Sequence, residues 1–493
     1  MTVPHAAGNG TAVTTELREA LEAAAGIVGR DRVVALPGRL GNNTGLFRQR
    51  RILGTIRPRT GQEVQEVVTA FGRSAGTAPL HVYSTGRNWG LGSREPATDD
   101  AVALDLSGLD QVREINIDAG WAVIEPGVTQ GHMAKLLTGT DRMVNVTVSS
   151  AHSSLVGNAL DRGVGLRHQR VDDLVGLEVV LPDGEVMYVG WWPDAGRQRP
   201  VYSHGLGPSL VQMFVQSNLV VVTAAAIRLL SRPEALRVVR LTFTPDKLAD
   251  AITHLRRWVG QGLVDGVPKI YNPAAAAGYG STPGQFLVHV CVNGISAAVD
   301  ALTSVLVDEA TRSGAFSEIS ASDSTDRANE QHEVTTLVEQ SYWGDPDVTD
   351  TVFEAKMGMA ADELDNHIGF LFFLPLVPFA PDCVVLAEEL LRRVQNEFGI
   401  SCGGTLNVIG PDVIDFAITM KFDRVHEIAD RAHRALDRLY ELFTDAGFMP
   451  YRLDVDHHDW MLRCGGAESE RSFARRLKQM IDPTTVIAPG RYS

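Results

Sequence analysis

Val82-Tyr83-Ser84-Thr85-Gly86-Arg87-Asn88-Trp89-Gly90-Leu91-Gly92 is the stretch on which the reading of the whole chain turns. It reads as a strand end running into a glycine-punctuated turn. Gly86, Gly90 and Gly92 can take backbone angles closed to other residues, so consecutive N–H groups can turn inward. A concavity of amides of this kind holds an anion, typically a diphosphate. The run is not G-x-G-x-x-G opening a helix, and no Walker lysine follows it. An apolar strand, Ala101 to Leu106, comes next. A nucleotide held here would sit on a loop between strands, which points away from a Rossmann fold. On spacing alone, a plain surface turn fits equally well.

The chain has 493 residues, 44% apolar and 21% charged, enough for two or three domains with a large core. Its net charge of −15 argues against partners such as nucleic acid or an anionic membrane surface. Cys291, Cys383, Cys402 and Cys464 show no metal-ligand spacing, and a disulfide framework is not indicated. The first residues lack the order of a signal peptide, and no apolar run reaches membrane-spanning length. A cytoplasmic location is the expectation.

Outward from the turn, residues 1 to about 14 read as disordered. Leu17, Leu21, Ala24 and Val28 make one helix face. Thr60 and Glu63 have capping-box spacing ahead of the stripe Val64, Val67, Val68 and Phe71. Asp118-Ala119-Gly120 and Pro182-Asp183-Gly184 are hairpin signals between strand-like runs. Ser231-Arg232-Pro233 looks like a domain exit. Beyond Arg237, strands alternate with long helices, as in a sheet carrying a helical layer. The strand-like runs are Val238–Thr244, Phe286–Val292, Phe370–Leu376 and Ile414–Met420. Helices are expected near residues 248–259, 296–312, 384–398 and 425–443. Asn272–Gly284 and Ser317–Asp326 read as loops. The ending, Ile481 to Ser493, is too rich in turn residues for a helix and reads as tied down.

Four motifs in order resemble the vanillyl-alcohol oxidase family of flavoproteins. They are Ser84–Gly92; Val123-Ile124-Glu125-Pro126-Gly127-Val128-Thr129; Val156-Gly157-Asn158-Ala159-Leu160-Asp161-Arg162-Gly163-Val164-Gly165 with Leu177–Gly184; and Ile487-Ala488-Pro489-Gly490-Arg491. The resemblance runs from about residue 50 to the end. It implies an α+β fold of two domains, an FAD-binding domain and an inserted cap whose antiparallel sheet is covered by helices. The boundaries expected are 1–236 and 448–493 for FAD binding and 237–447 for the cap. The implied cofactor contacts are Ser84, Thr85, Gly86, Arg87, Asn88, Trp89 and Gly90 in the turn, Pro126 and Gly127, Ser149, Gly157 and Asn158, Val220, and Arg491.

By the same resemblance, His367, ahead of Ile368-Gly369-Phe370-Leu371-Phe372-Phe373-Leu374-Pro375, matches a histidine that bonds covalently to the flavin in oxidase members. An ordinary polar residue at a strand start is the alternative. Tyr451-Arg452 matches a pair that binds phenolate, where a guanidinium and a phenolic hydroxyl stabilise an oxyanion.

Three departures stand out. Leu91 occupies the place of a further clamp tyrosine, Ser149 that of the catalytic aspartate, and Ile414-Asp415 that of a histidine pair. A serine is no base unaided. His152, or His457 or His458 in Asp454-Val455-Asp456-His457-His458-Asp459, is the expected substitute. A metal at that run is disfavoured, because adjacent histidines on a strand point apart.

The resulting expectation is an oxidase. Hydride passes from an alcohol or a benzylic or phenolic small molecule to flavin N5, and oxygen is reduced to hydrogen peroxide. A dehydrogenase with a protein or quinone acceptor, a non-redox flavoprotein and a chain without flavin are the alternatives. A homodimer is left open.

Overall fold

The computed structural model describes residues 14–35, 43–73, 78–194, 197, 199–322, 337–361 and 363–492. The expectation for residues 1–13 falls outside them. The helix Thr15–Val28 buries Leu17, Leu21, Ala24 and Val28, and the helix Gly61–Gly72 buries Val64, Val67, Val68 and Phe71. Thr60 Oγ accepts from the Glu63 N–H at 3.1 Å, the cap its spacing predicts. Both helices cover a four-stranded sheet in the order Val33–Ala35, Ile52–Ile56, Ala101–Asp105, Leu80–Tyr83. The last two strands are parallel neighbours, and the glycine turn is part of their connection.

A second sheet is antiparallel, in the order Val112–Asn116, Trp121–Ile124, Val221–Arg228, Leu174–Val180, Val186–Gly190. Both hairpin signals turn where expected. All seven residues of Leu174–Val180 are buried, because this strand has packed residues on both faces.

A third sheet takes its strands from Ala235 to Asp423. Its order is Glu318–Ala321, Ala235–Phe243, Phe286–Gly294, Asp265–Tyr271, Cys402–Gly410, Val413–Asp423, Ile368–Phe373, with Leu376–Pro378 also paired to Val413–Asp423. Four helices, Leu248–Gly260, Ser296–Ser313, Pro381–Phe398 and His426–Asp445, pack on one face through residues such as Leu241, Phe243, Val288, Phe373, Phe416 and Ile418. The fold is therefore α+β, with the helical layer on one side of this sheet. The opposite face carries Lys269, Tyr271, Asn407 and Asp415 toward a cavity.

Two expected loops contain structure. Glu318–Ala321 is an edge strand paired to Val239–Thr242, and residues 323–326 lie outside the described residues. Pro273–Ala276 is a helical turn capped by Asn272 Oδ1, 3.0 Å from the Ala275 N–H. Their short length gave no periodicity to read.

The chain's last stretch is held as expected. Leu80 N–H donates to Val486 O at 2.7 Å and Ala488 N–H donates to Leu80 O at 2.9 Å, so Ile487 extends the edge of the first sheet.

Candidate active site

One cavity of about 330 Å³ joins the glycine turn to the third sheet. Ser84, Thr85, Gly86, Arg87, Asn88, Trp89, Pro126, Ser149, Gly157, Asn158, Val220, Arg491, Tyr451 and Arg452 all line it. Gly86 and Gly92 have φ of +65° and +70°, the left-handed region that favours glycine. Gly90 has no such angle; it is glycine because a Cβ there would lie 2.3 Å from the Phe372 ring. Gly157 is required by a close approach, since its Cβ would meet Ser84 Oγ at 2.2 Å. Gly127 is not in the cavity wall: it packs against backbone, its Cβ falling 2.5 Å from Ser107 O.

These walls fit FAD. The loop lining the cavity and the half-buried Arg491 suit a diphosphate, and Leu106, Val156, Val220, Val222 and Ile487 offer apolar surface for flat rings. The loop residues, Ser149, Gly157, Asn158 and Arg491 are the ones that would hold it.

At the other end stands a polar group. Tyr451 is set by its N–H to Leu374 O at 3.2 Å and by Gln216 Nε2, which donates to Tyr451 O at 2.8 Å. Its hydroxyl donates to Asp415 Oδ2 at 3.5 Å. Burial, followed by the Asp415 charge, raises the Tyr451 pKa well beyond the ordinary range, so the hydroxyl stays a donor. Asn407 Nδ2 donates to the same Asp415 oxygen at 3.0 Å, and Lys269 Nζ donates to Asn407 Oδ1 at 2.6 Å. Burial raises the Asp415 pKa to about 6, against the opposing pull of Asn407, Lys269, Arg452 and Tyr451.

Arg452 is paired with Asp161, its Nε donating at 3.1 Å and its Nη2 donating to the same oxygen. The Tyr492 hydroxyl donates to the other Asp161 oxygen, and Asn88 Nδ2 lies 3.3 Å from Asp161 Oδ2. Burial opposes ionisation of Asp161, but Arg452 and Arg491 outweigh it and hold the carboxyl below the usual range.

Several expected residues lie elsewhere. His152 is exposed and outside the cavity wall. His367 ends the short helix Leu364–His367 and is exposed; the wall positions on the following strand are Phe370 and Phe372. The expected tether is therefore not brought to the cavity, because the alternation of that strand turns phenylalanines toward it.

Asp454–Asp459 is not a strand but a turn leading into His458–Trp460, a 3₁₀ turn. His457 points away from the cavity, stacking on Tyr440 with centroids 4.0 Å apart. Its Nδ1 lies 2.8 Å from Asp454 Oδ2 and its Nε2 3.1 Å from Asp437 Oδ1. His458 faces Tyr492 edge-on. Among the described residues, no group of three or more His, Cys, Asp or Glu could hold a metal.

His457 is thus a latch between the helix His426–Asp445 and the terminal segment. Burial lowers its pKa, but Asp437 and Asp454 more than offset this and raise it from 6.5 to about 10. A raised folded-state pKa gives stability that is complete below 6.5 and is lost as pH rises through about 10. The difference in unfolding midpoint between wild type and His457→Gln should therefore shrink across that window. A constant difference would remove the latch.

Asn407, Lys269 and Asp161 were not singled out as site residues from the sequence, and Asp415 was noted only as standing, with Ile414, in the place of a histidine pair. A signal existed for one: Asp415 is a lone carboxylate in the apolar run Val413-Ile414-Asp415-Phe416-Ala417-Ile418. Asn407 and Lys269 come from separate strands and meet it only in the sheet.

A family model described as FAD binding domain matches residues 52–190. The chain is 26% identical to the 1'-carboxy-chondrochloren decarboxylase of Chondromyces crocatus, over 90% of both chains. It is 23% identical to the flavoprotein subunit of 4-cresol dehydrogenase (hydroxylating) of Pseudomonas putida, over 88% of this chain and 86% of that one. The crystal structure of p-cresol methylhydroxylase with substrate bound superposes with a TM-score of 0.85 at 21% identity, covering 98% of each chain. No helix among the described residues is long and apolar enough to cross a membrane. With a matched FAD binding domain at residues 52–190, its motifs in order and the fold of p-cresol methylhydroxylase, the chain is an α+β, FAD-binding protein that resembles the vanillyl-alcohol oxidase family of FAD-dependent oxidoreductases.

Proposed function

We propose that the enzyme oxidises a small aromatic molecule bearing a phenolic or benzylic hydroxyl, with oxygen as electron acceptor. One observation carries this reading: the glycine turn, which suits the FAD diphosphate, and the donors Tyr451 and Arg452 line a single cavity. FAD, when bound, supplies the hydride acceptor, and oxygen takes both electrons on as hydrogen peroxide. Tyr451 and Arg452 hold the substrate oxygen as negative charge grows on it. Asp161 balances Arg452 and keeps its guanidinium in one orientation. Phe353, Met357, Phe370, Phe372 and Leu374 exclude water beside the reacting carbon.

A substrate that also carries a carboxylate and loses carbon dioxide is the second reading. The ammonium of Lys269 in the cavity wall supports it, as does the similarity to a decarboxylase.

The test is a panel of para-substituted phenols, benzylic alcohols and their carboxylated analogues, scored for flavin bleaching, peroxide and carbon dioxide. Bleaching without peroxide would transfer the reading to a dehydrogenase. Bleaching by none of them would remove the substrate class. Because His367 is exposed and Phe370 and Phe372 hold the wall positions, we propose that FAD is bound without a covalent tether. Acid precipitation should leave yellow flavin in the supernatant. Flavin retained in the pellet would overturn this.

A further inference from the structure

We propose that Asp415 is the proton acceptor for the substrate hydroxyl, and that Lys269, acting through Asn407, is the residue that positions it. This rests on the oxidoreductase reading above.

Three neighbouring strands supply the arrangement. Lys269 is the direct cross-strand partner of Asn407, and Asn407 of Asp415. Directly opposed residues of an antiparallel pair share a face and lie within side-chain reach. Here the shared face is the cavity side, and the three residues are only 8%, 5% and 2% exposed. An apolar row would stabilise the sheet more cheaply, because buried polar groups cost free energy unless fully bonded.

The bonding has a direction. Lys269 has only hydrogens to give, so it takes the Asn407 oxygen and fixes the flip of that amide. The amide nitrogen must then face Asp415 and engage Oδ2, the oxygen that Tyr451 also reaches. Asp415 Oδ1 is left buried without a partner among the described residues, on a side chain that lines the cavity. A substrate O–H is the donor this oxygen lacks. In the step, the substrate O–H bond breaks, an O–H bond forms on Asp415 Oδ1, and the electron pair stays on the substrate oxygen facing Tyr451 and Arg452.

The charged and titratable groups facing Asp415 are Lys269 from one strand and Tyr451 and Arg452 from the segment after the helix His426–Asp445. Leu376–Pro378, paired to its other side, contributes none. Lys269 and Arg452 favour the carboxylate, and burial opposes it.

The experiment uses purified flavoprotein and 4-fluorophenol, which has no benzylic hydrogen to lose, followed by fluorine NMR. Its binding should tighten as pH rises through about 6, as Asp415 ionises. The step should vanish in Asp415→Asn and move to higher pH in Lys269→Met and Asn407→Leu. Lys269→Arg should return it toward wild type, which a merely structural role would not require. With an oxidised substrate, Asp415→Asn should lose about 100-fold or more in kcat with the flavin spectrum unchanged. Persistence of the pH step in Asp415→Asn, or no binding of the phenol to wild type, would overturn the inference. A pH step that behaves as expected in a protein that oxidises nothing would leave the inference standing and defeat the proposed function.

Discussion

Asp161→Ala should lower folding stability by about 3–5 kcal/mol and release flavin from the protein, because it strands a buried cation. Arg452 is 9% exposed, and its fork is directed at Asp161. Burial disfavours the guanidinium, and Asp161 is the largest influence acting to keep it charged. Without that carboxylate, Arg452 and the neighbouring Arg491 face each other across the cavity wall, and the Tyr492 hydroxyl loses its acceptor. The measurement is urea unfolding together with flavin content. The double variant Asp161→Ala/Arg452→Met removes both charges and should recover more than about 1 kcal/mol of the loss. Equal stability of the single and double variants would show that the pair is not what holds this end of the site.

Lys478→Met should have an effect of similar size for a different reason. Its ammonium donates to Asp482 Oδ2 at 2.6 Å, to Asn218 O at 2.6 Å and to Ile487 O at 2.8 Å. Asp482 in turn accepts from the Val486 and Ile487 N–H groups, each at 2.9 Å. The pair thus clasps the segment that adds Ile487, Ala488, Arg491 and Tyr492 to the cavity. Removing the ammonium leaves a fully buried carboxylate and two carbonyls without their donor, a loss of about 3–5 kcal/mol. Unfolding in urea and flavin retention should fall together. A change under about 1 kcal/mol would mean that the edge pairing with Leu80 holds the segment unaided.

How far each feature could be read from the sequence follows from the range of the interaction behind it. The helices Thr15–Val28 and Gly61–Gly72, both hairpins and the extended ending were legible because a cap, a 3.6-residue stripe or a turn dipeptide sits within a few residues of what it specifies. The glycine turn was legible as a loop, yet two of its glycines serve φ and one serves a close approach to Phe372, which no local rule distinguishes. The expected residues that lie outside the cavity wall do so for the same reason. His152, His367 and His457 carry suitable chemistry, but where a side chain points is settled by the elements packed around it. His457 was claimed by Asp437 and Tyr440 of a helix that precedes it in the chain.

By itself, the sequence determined a glycine-punctuated loop between strands and, after it, a helix-covered sheet, because backbone turns and hydrophobic periods are local properties; FAD was named only through the resemblance of four ordered motifs to a flavoprotein family. Only the tertiary structure decided the reacting end of the site. Lys269, Asn407 and Asp415 come from three strands and become neighbours solely through antiparallel register. Asp161 meets Arg452 across 291 positions of chain. The charge and protonation of such groups depend on burial and on partners distant in sequence, so the chemistry arises from packing rather than from any motif.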